Sequence, residues 1–210
     1  MDINNILYRD GLSVEILQSL SYESKIGINL KKNLHYFNQQ VLFKELESIE
    51  SWYDSMDLLH ELALDYRIKS IQSAIMKYHR YYPDHQARKV FDDLLVFRSL
   101  CDEYDSILQL GKLENFRIAD MSKGKANDDG YRGVHVYYQH SGKHYPIEIQ
   151  YNTYYDRQFN NWLHKYTYKK KYSNFLGQML RKDYENGKIT TESEFKEVLS
   201  NVLSSSERCK

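Results

Sequence analysis

The stretch 130-GYRGVHVYYQHSGKHYPIEIQ-150 decides how this chain is read. It reads as two adjoining strands, 131-YRGVHVYYQH-140 and 144-HYPIEIQ-150, forming a β-hairpin. Tyr131, Arg132, His135 and Glu148 are set among its apolar positions. Glu148 lies between Ile147 and Ile149, and a mid-strand carboxylate is costly unless it is at an edge, paired or bound to a metal. The hairpin therefore predicts a site as well as a sheet.

Working outward, 122-SKGKANDDG-130 is turn chemistry and 114-ENFRIADM-121 a further strand. The segment 88-RKVFDDLLVFRSL-100 reads as a strand with a charged start, which places Asp93 inside it, and a helix from Asp102 to Leu110 follows. Upstream, apolar residues recur at helical steps from about Asn29 to Tyr66, including Leu42, Leu46, Ile49 and Trp52. Ser70 is placed to cap a helix running to Pro83. Beyond Thr153 the chain is helical again, and 190-TTESE-194 resembles a capping box before a helix over Glu192 to Leu203. The expected class is α+β: a mixed sheet of about five strands flanked by helices. One domain is expected over 1–210, with a core over 65–171, a helical N-terminal extension over 1–64 and a helical C-terminal extension over 172–210.

The 29 basic and 29 acidic residues balance, so there is no general attraction to polyanions and any such site must be a local patch. Two cysteines, Cys101 and Cys209, suit neither a disulfide framework nor a zinc knuckle. The polar start MDINNILYRD and the lack of any long apolar run lead us to expect a cytoplasmic protein with no signal peptide and no membrane partner. Glycine-rich phosphate loops, a zinc-protease helix and a serine elbow are all missing from the sequence.

Arg67 and Lys69 alternate on an extended segment, and Ser73 and Lys77 lie four apart on the helix that follows. That spacing aims cations and a hydroxyl at one spot beside a helix N-terminus, as a triphosphate cradle would. If Asp93 and Glu148 come from neighbouring strands and share a face, they form a two-carboxylate magnesium site, the usual companion of a triphosphate.

In this order, 67-RIKSIQSAIMK-77, 92-DDLLVFR-98, 130-GYRGVH-135 and 148-EIQ-150 resemble the synthetase domain of the RelA/SpoT family over about Asp65 to Lys171. The resemblance implies a nucleotidyltransferase-like sheet and transfer of pyrophosphate from ATP to a ribose 3′-hydroxyl. It implies that Arg67 and Arg98 sandwich the adenine, that Lys69, Ser73 and Lys77 hold phosphates, and that Asp93 and Glu148 manage Mg2+. Glu148 would also activate the hydroxyl, Tyr131 would stack on the acceptor base, and His135, with Arg132 nearby, would lie near the acceptor phosphates.

Nucleotide-using members carry lysine and asparagine before the Gly-Tyr pair and an arginine after EIQ. Here Asp128 and Asp129 precede Gly130, and Asn152 stands where the arginine is usual. Carboxylates beside a diphosphate repel it. In size the chain resembles the compact, toxic small alarmone synthetases, and that resemblance implies, as for several of them, modification of the 3′-hydroxyl of the tRNA CCA end and a protein antitoxin as partner. On that expectation Lys31, Lys32, Lys123, Lys125, Lys169 and Lys170 would contact the tRNA backbone. The alternative is a synthetase acting on guanosine or adenosine nucleotides. A homo-oligomer or a toxin–antitoxin hetero-oligomer is compatible with either.

Overall fold

The computed structural model describes residues 4–170 and 172–207. Helices α1 (Asn4–Arg9), α2 (Val14–Ser19), α3 (Gln39–Asp54) and α4 (Asp57–Glu61) precede strand β1 (Asp65–Ile68). Helices α5 (Ile71–Tyr81) and α6 (Ala87–Val90) lead to β2 (Leu95–Leu100), followed by α7 (Tyr104–Leu108), β3 (Phe116–Asp120), β4 (Val134–Tyr138) and β5 (Ile147–Asn152). Helices α8 (Tyr154–Tyr166), α9 (Asn174–Glu185) and α10 (Glu192–Glu207) complete the described chain. The strands form one mixed sheet in the order β1-β2-β5-β4-β3, flanked by helices, as the sequence predicts.

Two compact units divide the described residues: 4–99, 105–119 and 135–151 form one, and 100–104, 120–134, 152–170 and 172–207 the other. The first holds nearly all of the sheet. Burial follows strand position: Leu95, Val96 and Phe97 of β2 and Ile147, Glu148 and Ile149 of β5 are buried in succession, as central strands covered on both faces require. Edge strand β1 instead alternates exposed and half-buried residues.

On α3, Leu42, Leu46, Ile49 and Tyr53 form the buried stripe, and the Asn38 side chain caps the helix by accepting from the amides of Gln40 and Val41. Glu45 lies within this stripe. Its carboxylate accepts from the Ser24 hydroxyl at 2.7 Å, the Lys25 amide at 2.6 Å and the Tyr145 hydroxyl at 2.8 Å, which ties the N-terminal segment to the sheet. Burial, and next the Glu45 charge, push the Tyr145 phenol well above its ordinary value, so it stays a donor.

The second unit is built on α8, α9 and α10, whose Phe159, Trp162, Leu163, Leu180, Tyr184 and Phe195 form one buried cluster. The capping box at 190-TTESE-194 is present: the Glu194 carboxylate accepts from the amides of Thr190 and Thr191, and the Glu194 amide donates to the Thr191 hydroxyl.

Three expectations need correction. The helix expected from about Asn29 to Tyr66 is broken, because Asn38 caps α3, Ser55 ends it, and Tyr66 already belongs to β1. Lys31 and Lys32 consequently lie in a turn, not at a helix start. The strand expected over 88–100 begins only at Leu95, so Asp93 sits in the turn before β2, where two adjacent aspartates interrupt regular structure. Among the described residues, no helix is long and apolar enough to cross a membrane.

Replacing Glu45 with alanine would leave three donors without their shared acceptor. We expect Glu45→Ala to lower unfolding free energy by roughly 3–5 kcal/mol, read as a shift in the urea midpoint. A loss below about 1 kcal/mol would mean that water replaces the carboxylate there.

Candidate active site

In the first unit the charged residues form a continuous chain of contacts. Lys69 Nζ lies 2.7 Å from Asp93 Oδ2, and Lys77 Nζ lies 3.1 Å from both Asp93 Oδ1 and Asp92 Oδ1. Arg117 Nη2 donates to Asp92 Oδ2 at 3.0 Å, and its guanidinium stacks 3.8 Å from the centre of the Tyr137 ring. The Tyr137 hydroxyl reaches Glu148 Oε1 at 3.4 Å, which also lies 2.6 Å from His135 Nδ1 and accepts from Gln150 Nε2 at 3.2 Å.

Local structure explains why these groups meet. The Lys69 amide donates to the Leu94 carbonyl, so the end of β1 is held beside the turn carrying Asp92 and Asp93. Ser70 then caps α5 through the Ser73 amide, with its hydroxyl 3.0 Å from that of Ser73, and Lys77 projects one turn further along the helix. On β4, His135 and Tyr137 share the face opposite buried Val134, Val136 and Tyr138. On β5, Glu148 and Gln150 share a face by the same period.

The electrostatics divide the two aspartates. Burial raises the Asp93 carboxyl, but Lys77 and Lys69 outweigh it and hold the group below its ordinary value. Burial raises the Asp92 carboxyl, and Asp93 and Glu148 add to that rise against the pull of Lys77, so the balance is upward. Lys77 is raised: burial opposes its charge, and Asp92 and Asp93 prevail. Tyr137 is driven far above the ordinary phenol range by burial and then by Glu148, and it remains a neutral donor.

Arg67 and Arg98 are brought together. In the antiparallel β1–β2 pair, Arg67 faces Val96 and Asp65 faces Arg98, so the two arginines are diagonal neighbours on one face. Arg98 contacts Asp65 at 3.3 Å with the aspartate 63% exposed, so the pair is of the weak, solvent-screened kind.

Tyr131 and Arg132 belong to the second unit. Arg132 Nη1 meets Asp128 Oδ1 at 2.8 Å, and Lys125 Nζ meets Asp129 Oδ2 at 2.7 Å while lying 5.0 Å from the Tyr131 ring centre. Both aspartates near Tyr131 are thus neutralised in place. Asn152 is buried, and its amide donates to the Arg132 carbonyl at 2.8 Å.

Of the expected backbone-binding lysines, Lys31 lines a cleft of about 230 Å³ with Arg88, Lys89 and Arg117, and no carboxylate lines it. The Arg88 amide donates to the Leu30 carbonyl, which brings Lys31 to that wall. Lys32 is exposed and lies 5.5 Å from the Tyr36 ring centre. Lys123 and Lys170 are exposed, whereas the Lys169 side chain and Lys171 lie outside the described residues.

Asp92, Arg117 and Tyr137 escape sequence reasoning. The 135-HVY-137 alternation could have placed Tyr137 beside His135, but the contacts of Arg117 cross strands and leave no local signal. Among the described residues, no group of three or more His, Cys, Asp or Glu is arranged to hold a metal. A magnesium ion here would need phosphate oxygens to complete its shell.

The pKa directions have a stability consequence. Asp93, depressed on folding, contributes stability that is present above its unfolded value of 3.8 and is lost as pH falls through the folded one. Asp92, raised on folding, instead costs stability once ionised. We expect Asp93→Asn to be the more destabilising substitution at pH 7, with the gap between it and Asp92→Asn closing below pH 3.8 in urea titrations. Equal losses at pH 7 would contradict this division.

No protein-family model matches the chain, and no curated protein matches it. Among solved structures it is similar to small alarmone synthetase 1 from Bacillus subtilis bound to pppGpp, at 21% identity, covering 80% of this chain and 95% of that one with a TM-score of 0.43. Small alarmone synthetase 2 from the same organism aligns at 18% identity over 81% of this chain and 97% of its own, TM-score 0.42. A GTP pyrophosphokinase family protein from Streptococcus pneumoniae aligns at 19% identity over 80% and 89%, TM-score 0.40.

Proposed function

We propose that the chain is an ATP-dependent pyrophosphotransferase of the small alarmone synthetase kind, with a guanosine or adenosine nucleotide as acceptor. The observation that carries this reading is the convergence of Lys69 and Lys77 on Asp93, linked through Asp92, Arg117 and Tyr137 to a buried Glu148 held by His135. Lysines whose only counterions are internal carboxylates can turn to phosphate oxygens when ATP arrives. Arg67 and Arg98 would hold the adenine, and Ser73 would add a hydroxyl to the phosphates.

In the reaction, the acceptor hydroxyl oxygen bonds to the β-phosphorus as the bond from that phosphorus to the α–β bridging oxygen breaks. AMP leaves with that oxygen, and the hydroxyl proton passes to Glu148. His135 Nδ1, the Tyr137 hydroxyl and the Gln150 amide fix the Glu148 carboxylate, so little reorganisation is needed at the moment of transfer. Asp93 and Glu148 would hold Mg2+ through an all-oxygen donor set, with phosphate oxygens completing its shell. When bound, the ion would neutralise charge developing on the phosphates.

The pairing of Asp128 with Arg132 and of Asp129 with Lys125 supports a nucleotide acceptor, because it cancels the repulsion that those carboxylates would exert. A second reading, a toxin that modifies the tRNA CCA end and is held by a protein antitoxin, is favoured by one observation. The cleft of Lys31, Arg88, Lys89 and Arg117 is a local cationic surface on a neutral protein, and it suits a phosphate backbone.

The test is transfer from γ-labelled ATP to GDP, GTP or ATP in one set of tubes and to deacylated tRNA in another, with Glu148→Gln as the blank. We expect labelled nucleotide, and at least a 100-fold loss in the variant with unchanged circular dichroism. Label on tRNA that disappears with its terminal adenosine would establish the second reading. Full activity in Glu148→Gln would remove Glu148 from the mechanism.

A further inference from the structure

The loop carrying Tyr131 and Arg132 has little structure of its own, yet the C-terminal helices hold it at several points. Arg181 of α9 is fully buried. Its Nε donates to the Gly130 carbonyl at 2.7 Å, its Nη1 to Asp156 at 2.8 Å and its Nη2 to Asn160 at 3.0 Å. Asn160 continues the contact by accepting from the Arg132 amide at 3.3 Å and donating to the Arg132 carbonyl at 2.7 Å. The guanidinium also lies 4.2 Å from the Phe159 ring centre.

Two glycines let the backbones approach. A Cβ on Gly177 would lie 2.0 Å from the Asp129 carbonyl oxygen, and one on Gly130, where φ is +86°, would lie 2.3 Å from the Gly177 carbonyl oxygen. Tyr168, which lines one small cavity with Asp129 and Gly177, shares a side-chain hydrogen bond with Asp129. A buried guanidinium is costly, and removing its fork leaves donors or acceptors unsatisfied, so such a group specifies one arrangement of whatever it bonds. Its loop partner is the carbonyl immediately before Tyr131.

We infer that Arg181 is a positioning residue for acceptor binding: the C-terminal helices, through Arg181, Asn160 and the Gly130–Gly177 approach, set the backbone from which Tyr131 and Arg132 meet the acceptor. The inference rests on the reading of those two residues as acceptor-binding. Lysine cannot replace arginine here, since its single ammonium cannot serve Gly130, Asp156 and Asn160 in one plane.

The experiment measures pyrophosphate transfer by wild type, Arg181→Lys and Tyr168→Phe. Each is assayed against ATP and against whichever of GDP, GTP or deacylated tRNA takes label from wild type, with melting temperatures in parallel. The expected result is an acceptor KM raised on the order of 10-fold or more in Arg181→Lys, with a smaller rise in Tyr168→Phe and the KM for ATP within about twofold. A purely structural role would change both KM values, or lower the active fraction and kcat, in step with the melting temperature. An unchanged acceptor KM in a folded Arg181→Lys, or parallel changes in both KM values, would overturn the inference. If Arg181→Lys does not fold, Tyr168→Phe decides by the same criterion. Failure of wild type to label any acceptor would instead refute the pyrophosphotransferase reading itself.

Discussion

The constraint on which the site depends is that a charge withdrawn from water must meet an opposite charge. Lys69, Lys77, Asp92 and Asp93 are all largely buried, with side-chain exposures between 13% and 21%, so none can stand alone. Their solution is mutual: two lysines share Asp93, and Asp92 takes Lys77 and Arg117. The geometry of the cradle follows from this balance. The two lysines are held at one place by the aspartates that they share.

The same constraint shapes the second unit with a different outcome. Arg181 is more deeply buried than either lysine and is satisfied by a carboxylate, an amide oxygen and a backbone carbonyl at once. A guanidinium so placed is not available to a ligand. Arg132 is intermediate: its side chain is 11% exposed and paired with Asp128, and Glu185 lies within 3.7 Å. Buried cations in this chain thus divide by their partners. Lys69 and Lys77 are held by carboxylates, whereas Arg132 and Arg181 also bond backbone carbonyls.

Elements with a local cause were legible in the sequence. The Ser70 cap, the 190-TTESE-194 box and the alternation through Val134, Val136 and Tyr138 each depend on residues within a few positions of one another. The meeting of Lys69, Lys77 and Asp93 was also legible, through spacing and a family resemblance that put the three in one site. What could not be read depends on long-range closure. Asp93 looked like part of a strand because an apolar run follows it, yet the start of β2 is set by pairing with β1, and Leu95 is the first residue with a partner there. Gly130 and Arg181 are 51 residues apart, and no periodicity connects them. Asp128 and Asp129 looked repulsive because their partners, Arg132 and Lys125, are named only by the path of the loop.

That last point bears on the acceptor. In sequence, two aspartates beside the Gly-Tyr pair count as negative charge, and a chain with 29 residues of each sign offers no general field to offset them. In the folded loop each aspartate is matched to a cation at 2.7–2.8 Å, so the loop presents almost no net charge to an incoming ligand. Such a surface neither repels a nucleotide diphosphate nor attracts one strongly. On the proposed function, Tyr131 would supply stacking, which any purine satisfies. In the first unit, the cleft lined by Lys31, Arg88, Lys89 and Arg117 gathers four cations, of which Arg117 is paired with Asp92. On the second reading, a phosphate backbone would gain from such a cleft in proportion to the phosphates that it lays there. On the proposed function, the paired aspartates beside Tyr131 do not stand against a nucleotide acceptor.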